Sequence, residues 1–518
     1  MIFFQSSTIE RYFSRNLKVL LSLKQIFILK TSTKYSTILL GLFLISLFSC
    51  RKEDNFIVDS HFRLKFSNDT ITFDTVFTTM GSVTQQLKVY NREKNPVQIS
   101  RIFLAESNSS SYQINVDGRS GKSFTNIALN GGDSLYIFIR ITIDPTKQNN
   151  PLIVRDSIIF EINGNRQDVD LYAWGQDAHF IMPNLTIQGL PPLNIIAKEG
   201  ETLRFTKDKP YVIVGYAVVD SMANLIIDAG AKIHFYNRSG LWIYKGGNIQ
   251  VNGSLEEPVI FQGTRLDADY KDLPAQWDRI WINESAHNSS FNYAIIKNGT
   301  IGIQAETLEE SMGNTLFLKN TRIQNMSGWG LFTRFYQIEA DNLLVANAGS
   351  SVLNLTSGGR YRFRNSTFGN YWSYGVRKDP LLHLSNYYVM PSAQGDIVYT
   401  GTLEDAYFGD CIFYGNLEEE ILINPLSGTE NQFNYLFDYC LIKSKKAGEL
   451  NTNASIFNQE PLFSNPYSLD YQLDTLSPAI NKGIFMGNPY DLNGRLRDEI
   501  PDLGAFEYYI RKTKTNRK

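Results

Sequence analysis

From residue 206 onward the chain is a ladder of short apolar triplets, and that pattern constrains its fold most. Asn224-Leu225-Ile226-Ile227-Asp228 is followed by Lys232-Ile233-His234-Phe235, Gly240-Leu241-Trp242-Ile243, Asn248-Ile249-Gln250-Val251-Asn252 and Pro258-Val259-Ile260-Phe261. Strands this short cannot bury a face alone. Repeated between turns, they stack, so that each coil covers the apolar side of the one before it. Further along, Ile323, Leu344, Phe368 and Phe413 recur with Asn or Gly close behind, at intervals of roughly 22 residues or twice that. The pattern predicts a coil of parallel strands with loops of variable size.

Residues 56–180 follow a different rule. Thr70-Ile71-Thr72-Phe73-Asp74-Thr75-Val76-Phe77, Gln86-Leu87-Lys88-Val89-Tyr90 and Ser134-Leu135-Tyr136-Ile137-Phe138-Ile139-Arg140-Ile141 alternate with period two. The turn signals Asn91–Pro96, Asn130-Gly131-Gly132-Asp133 and Asn163-Gly164-Asn165 separate such runs. Short alternating strands with this punctuation predict an antiparallel sandwich. Pro183, Pro191 and Pro192 mark 181–205 as the expected linker and first turns of the next domain.

The first region resembles immunoglobulin-like modules of the abnormal-spindle type. The resemblance rests on Phe73-Asp74-Thr75-Val76, Val89-Tyr90-Asn91, Gly132-Asp133-Ser134, Ile143-Asp144-Pro145 and Leu171-Tyr172-Ala173-Trp174-Gly175. The second resembles bacterial right-handed parallel β-helix proteins, the pectate lyase fold, most closely over 224–263. Trp277-Asp278-Arg279-Ile280 is similar to a WxGI coil of surface lipoproteins in that group, with Arg279 in place of the glycine. Ser477-Pro478-Ala479-Ile480-Asn481-Lys482-Gly483, Asp491-Leu492-Asn493-Gly494-Arg495 and Asp502-Leu503-Gly504-Ala505-Phe506-Glu507 are similar to the terminal module of Bacteroidota β-helix proteins. The resemblance implies a cap over the open end of the coil. The expected fold is therefore all-β: an antiparallel immunoglobulin-like sandwich over 59–180, a linker over 181–205, a right-handed parallel β-helix over 206–470, and a C-terminal cap and tail over 471–518.

The amino-terminal part carries an address. An apolar run from Ser36 to Ser49 ends at Cys50, and Arg51-Lys52-Glu53-Asp54 follows. A short apolar stretch between a basic flank and a small residue reads as a secretory signal, and Leu47-Phe48-Ser49-Cys50 resembles a bacterial lipobox. The resemblance implies a signal peptide over 1–49, lipidation of Cys50 and a tether over 50–58. The basic and apolar segment Arg15–Lys24 lies upstream of what one lipoprotein signal needs, so either initiation falls nearer Lys34 or the leader is long. Lys52, Glu53 and Asp54 resemble the Bacteroidota export signal for the outer leaflet; a solvated charged tether is the alternative. The expected location is the outer membrane, lipid-anchored and facing outward.

A net charge of −2 and a pI near 6.3 provide no basic field, so nucleic acid is not an expected partner. Cys411 and Cys440 sit in matching contexts and are expected to be small buried residues in neighbouring coils. Asp followed by Ser or Thr and an apolar residue recurs at Thr70, Thr75, Ser134, Ser157, Ser221 and Thr475. This resembles the periplasmic O-glycosylation sequence of Bacteroidota, although Asp in a turn before a strand gives the same triplet.

For chemistry, Asp267, Asp269 and Asp272 share a loop with Tyr270 and Lys271, and Arg377, Lys378 and Asp379 form a second charged group. Arg360, Arg362 and Arg364 alternate and so share a strand face. With Tyr371, Trp372, Tyr374, Tyr387 and Tyr388 they form a candidate glycan-binding groove, because aromatic faces stack on sugar rings and Arg forks hold carboxylates or sulfates. His234 reads as a partly exposed strand residue. His179, His287 and His383 lack ligand-spaced partners, so no metal site is expected. The expected function is a binding or structural module for glycan or protein. The alternative is a polysaccharide lyase or glycoside hydrolase, and only the lyase would call for calcium.

Overall fold

The computed structural model describes residues 55–144, 152–285, 287–307, 315–392 and 395–509. Cys50, Lys52, Glu53 and Asp54 lie outside the described residues. The chain is almost entirely β. Its first part is a sandwich of two five-stranded sheets. One sheet runs in spatial order Lys65–Phe66, Gln85–Tyr90, Ser134–Ile141, Tyr112–Val116, Arg119–Gly121. The other runs Thr70–Phe77, Asn165–Gln176, Leu152–Ile162, Val97–Leu104, Ser123–Leu129. Strand pairs within the sheets are antiparallel, except that Thr70–Phe77 lies parallel to Asn165–Gln176. The Asn163-Gly164 signal makes the hairpin between two long strands, with φ of 47° and 78°, as a two-residue turn matched to strand twist requires. Leu87, Val89, Ile99, Ile137, Ile139, Phe160 and Leu171 fill the space between the sheets.

The second part is a three-faced parallel β-helix. Faces one and two alternate along a 17-stranded sheet that bends through their shared corner, and face three is an 11-stranded sheet. Strands Trp329–Asp341 and Leu353–Arg364 run through that corner unbroken. Inward residues stack rung on rung because every coil repeats the same register. On face one, Leu241, Ile280, Ile303, Leu331, Leu353, Leu382 and Ile421 align. On face two, the Phe363 and Phe408 rings stack at 5.5 Å and the Phe408 and Phe437 rings at 4.9 Å. Phe368 and Phe413 do the same on face three at 4.9 Å. These distances approach the spacing of neighbouring strands.

The corner from face two to face three is a longer turn in the early coils, 206–210, 229–231 and 253–258, and from Tyr293 onward it is made by one residue in the left-handed region. Tyr293, Asn320, Asn342, Asn365, Asp410 and Tyr439 occupy it in successive coils, with φ between 46° and 52°. Asn and Asp tolerate this conformation better than other residues with a side chain. Their side chains also bond along the ladder. Asn320 Nδ2 donates to Asn292 Oδ1 at 3.2 Å, Asn342 Nδ2 to Asn320 Oδ1 at 3.0 Å and Asn365 Nδ2 to Asp410 Oδ2 at 3.3 Å. Cys411 and Cys440 each follow the corner residue of adjacent coils, both buried as free thiols.

Three expectations need correction. Residues 181–205 are not a linker: His179–Ile181, Leu193–Ala197 and Thr202–Phe205 form the first coil, and Leu193, Ala197 and Phe205 are buried in it. The C-terminal cap is present, but it lies along the flank of face three rather than across the end of the stack. Phe463, Tyr471, Leu473, Leu492, Leu503 and Phe506 pack on the outward side chains Leu344, Ala346, Ile412, Tyr414 and Leu441. Those outward positions are apolar, and an apolar outer sheet face has to be covered. His234 is buried, not part-exposed. The sandwich residue Phe77 packs on it with ring centroids 4.8 Å apart, and burial pulls the imidazole down to about 4.

The cap is pinned to the corner ladder. Arg497 donates to Asn342 Oδ1 at 3.0 Å, Asn488 to Asn365 Oδ1 at 2.9 Å, and the Ile484 amide to both Asp410 oxygens at 3.0 and 3.1 Å. Burial raises the Asp410 carboxyl to about 7 and also raises Asp502 and Glu507. Between pH 3.8 and about 7 the unfolded chain has lost the Asp410 proton and the folded chain retains it. Stability therefore falls as pH rises through that window. Asp410→Asn should flatten the decline of the melting temperature over that range.

Arg377 and Glu420 form a buried ion pair, with Arg377 Nη1 to Glu420 Oε2 at 2.7 Å and Nη2 to Oε1 at 2.6 Å. Glu420 also accepts the Leu381 and Leu417 amides, and Arg377 donates to the Asn370 and Asp379 carbonyls. Arg377 thus ties coils together. Glu420→Ala leaves a buried guanidinium without its counter-ion and should cost about 3–5 kcal/mol in denaturant unfolding.

Candidate functional site

The connections from face three to face one differ sharply in length. The coil containing Val259–Gly263 leaves through a long loop, 264–276, and the coil containing Thr367–Asn370 leaves through another, 371–380. Between them three coils turn tightly. Two long loops flanking short turns make a groove, and its rims stand four rungs apart, roughly 19 Å at the usual strand spacing.

The result is a cavity of about 280 Å³. Asp272 stands on one rim and Trp372, Ser373 and Tyr374 on the other, while Asn325 and Asn347 line the space between. Tyr467, Ser468 and Leu469 of the cap close one side. Trp372 and Tyr374 meet at 5.1 Å with planes tilted by 59°, and Tyr374 and Tyr467 remain 51% and 63% exposed. The Tyr374 hydroxyl donates to the Asp272 carbonyl at 3.0 Å and bridges the rims. Asn325 donates to the same carbonyl at 2.5 Å and to Asn298 Oδ1 at 2.8 Å. Asn347 accepts from the Tyr371 amide at 2.9 Å and the Tyr471 hydroxyl at 2.6 Å, so it locks the cap to the floor. The Asp272 carboxylate pairs with Lys297 at 3.7 Å. Asn347 Nδ2 also donates to the Pro466 carbonyl at 3.3 Å, so the cavity offers flat aromatic faces above a polar floor held rigid by its own hydrogen bonds.

This gathers some of the expected site residues and separates others. Trp372 and Tyr374 meet Asp272, a residue from a different charged group. Tyr371 does not face the groove: it is buried under the cap, its ring packed on Phe463 and Tyr471 and its hydroxyl donating to Glu460 at 2.9 Å. Burial, with the neighbouring Glu460 carboxylate, drives its ionisation far up.

Arg360, Arg362 and Arg364 do share an outward strand face, but on face two, away from the aromatics. Each pairs along the rungs: Arg360 with Gln337 at 2.6 Å, Arg362 with Asp405 at 3.3 Å and Arg364 with Asp341 at 2.8 Å. Tyr387 donates no wall to the groove; its hydroxyl accepts from Asn424, and Tyr388 stacks on Arg334.

In five of the Asp-Ser/Thr triplets the Asp carboxylate accepts the next residue's amide, at Thr75, Ser134, Ser157, Ser221 and Thr475, at 2.6–2.7 Å. Thr70 opens its strand. Among the described residues no group of three or more His, Cys, Asp or Glu is placed to hold a metal.

The floor and the cap wall were missed. Asn325 and Asn347 carry a signal, an Asn close behind Ile323 and Leu344, the recurring apolar positions of their coils; Tyr467, Ser468 and Leu469 carry none. Tyr374→Phe should remove the bridge between the rims at a cost of about 1 kcal/mol. Hydrogen exchange of the 264–276 amides should quicken in that variant.

No protein-family model and no curated protein matches the sequence. Among solved structures, a family 123 glycoside hydrolase from Clostridium perfringens aligns at 9% identity and a TM-score of 0.16, over 23% of this chain and 30% of that one. A PapD-like domain of human CEP192 aligns at 12% identity and 0.15, over 23% of this chain and 92% of that one. A Porphyromonas gingivalis protein of unknown function aligns at 11% identity and 0.16, over 25% and 60%. The chain thus spans less than a third of the hydrolase's length. Similarity at this level carries no function across.

Proposed function

We propose that the chain is a lipid-anchored surface protein of the Bacteroidota type that binds glycan in the Trp372–Tyr374 groove. The observation that carries the reading is that groove: aromatic side chains from a β-helix loop and from the cap, over a polar floor, in a preformed cavity between long loops. Ligand sites combine apolar and aromatic walls with a few placed polar groups, and Trp and Tyr offer flat, stiff surface at small entropic cost. Among the described residues Asp272 is the one carboxylate lining the cavity, and it is ion-paired. Hydrolysis by the common two-carboxylate routes calls for a pair roughly 5–9.5 Å apart, so the groove supports holding a sugar better than cutting one. Cys50 and the Lys52-Glu53-Asp54 flank support the surface address.

Calorimetric titration with a panel of neutral and acidic oligosaccharides tests the binding. At least one should bind, and Trp372→Ala should weaken it by roughly tenfold with an unchanged melting temperature. Release of unsaturated sugar ends during the incubation would replace this reading with a lyase. For the address, Cys50→Ala should move the protein out of the outer-membrane fraction.

A further inference from the structure

The loop 264–276 has two sides. One forms a rim of the groove above, and the other faces the sandwich. There, three adjoining cavities run along the junction between the two domains. The largest, about 640 Å³, is lined by Trp174, Gln176 and Gln85 from the sandwich and by Asp267 and Asp269 from the loop. A second, about 420 Å³, lies against Tyr236, Asn237, Tyr270 and Gln276. A narrow neck of about 70 Å³ shares Asp74, Thr75 and Asp267 with the first and Tyr236, Thr264 and Arg265 with the second. The cavities thus form one track crossing from sandwich to β-helix.

The walls of this track are held in place. Phe77 packs on the buried His234 at 4.8 Å. Asp177 accepts from Thr78 at 3.1 Å and pairs with Lys209 at 3.5 Å. These contacts join the domains on either side, so the cleft is preformed and binding need not order it. Trp174, 40% exposed, stands in the first cavity, and Tyr236, 45% exposed, stands where the neck opens into the second. Half-exposed rings above side-chain amides suit a flat, hydroxyl-rich chain.

The charges select the class of chain. Among the described residues, the ionisable groups lining the three cavities, apart from tyrosines, are Asp74, Asp267, Asp269 and Arg265. Arg265 is engaged twice within the wall. It pairs with Asp267 at 2.8 Å and stacks on the Tyr270 ring at 3.6 Å. The lining is therefore net acidic, with its one cation already partnered, and an anionic sugar entering it would meet like charge. We infer that this interdomain cleft is a second glycan site, distinct from the Trp372 groove, and that it takes an uncharged oligosaccharide.

The test uses the mature chain from residue 50 and hexasaccharides of β-1,4-glucan, β-1,4-mannan, β-1,4-xylan and α-1,4-glucan, with hexagalacturonate as the acidic comparison. At least one neutral hexasaccharide should bind. Trp174→Ala and Tyr236→Ala should each weaken it by roughly tenfold, and in Trp372→Ala the cleft should still bind it. Asp269→Lys should raise the affinity for hexagalacturonate in a salt-sensitive way. Near-UV circular dichroism of each variant controls for folding, since the replaced rings are half-exposed. Absence of binding by all four neutral chains overturns the inference. So does a neutral affinity lost only in Trp372→Ala, which would leave the first groove as the sole site, or a preference for hexagalacturonate in the unaltered protein.

Discussion

From Tyr293 to Tyr439 the β-helix depends on a one-residue corner, after earlier coils that turn through longer segments, 206–210, 229–231 and 253–258. A chain that turns from one face to the next on a single left-handed residue has little slack, which holds each such coil to the one below. Asn and Asp meet the conformational demand, and their side chains bond to the neighbouring rung, which helps offset what the corner costs. The same ladder is used twice. Its inner consequence is the stack of aligned Leu, Ile and Phe side chains. Its outer consequence is a rail of amides and one carboxylate, Asn342, Asn365 and Asp410, to which Arg497, Asn488 and the Ile484 amide attach. Packing of the core and docking of the cap share one backbone geometry.

A stack of nearly identical coils has flat sides, and concavity has to come from the loops. On this molecule it comes from inequality between neighbours at the corner of faces three and one. The 264–276 loop stands tall, the next turns are short, and the 371–380 loop stands tall again. One wall then serves two clefts, with the sandwich supplying the far side of one and the cap a side of the other. The sandwich packs beside the early part of face three and the cap covers its flank, so aromatic side chains from both gather along that corner.

Much of the architecture was legible in the sequence because it is local. Period-two alternation in Thr70–Phe77 and the apolar triplets of 224–261 state their geometry within a few residues. The failures are of two kinds. Pro183, Pro191 and Pro192 read as a linker because proline interrupts strands, yet strand His179–Ile181 ends just before Pro183 and strand Leu193–Ala197 begins directly after Pro192, so the prolines punctuate the first coil. The other failures are long-range. Tyr371 and Trp372 are adjacent and look equivalent, but Tyr371 packs on Phe463 and Tyr471 while Trp372 lines the groove, and only the position of the cap decides which one is covered. Arg377 finds Glu420 in the next coil, 43 residues along the chain, and Asp272 finds Tyr374 four rungs away. Nothing in the spacing announces such pairings, because loop lengths vary from coil to coil.

The flank-lying cap also changes how the molecule comes apart. A solenoid held only by contacts between neighbours frays from its ends, each coil leaving at the cost of one interface. Here the segment after the last coil runs back along the stack: Arg322 donates to Asn493 at 2.7 Å, and Gly494 lies close against Leu255, whose coil is near the beginning of the helix. The last coils cannot peel away without first releasing a strap fastened to the early ones. Local openings at that end should therefore be suppressed in favour of larger, concerted ones, and a repeat-built domain gains the all-or-none behaviour of a closed globule.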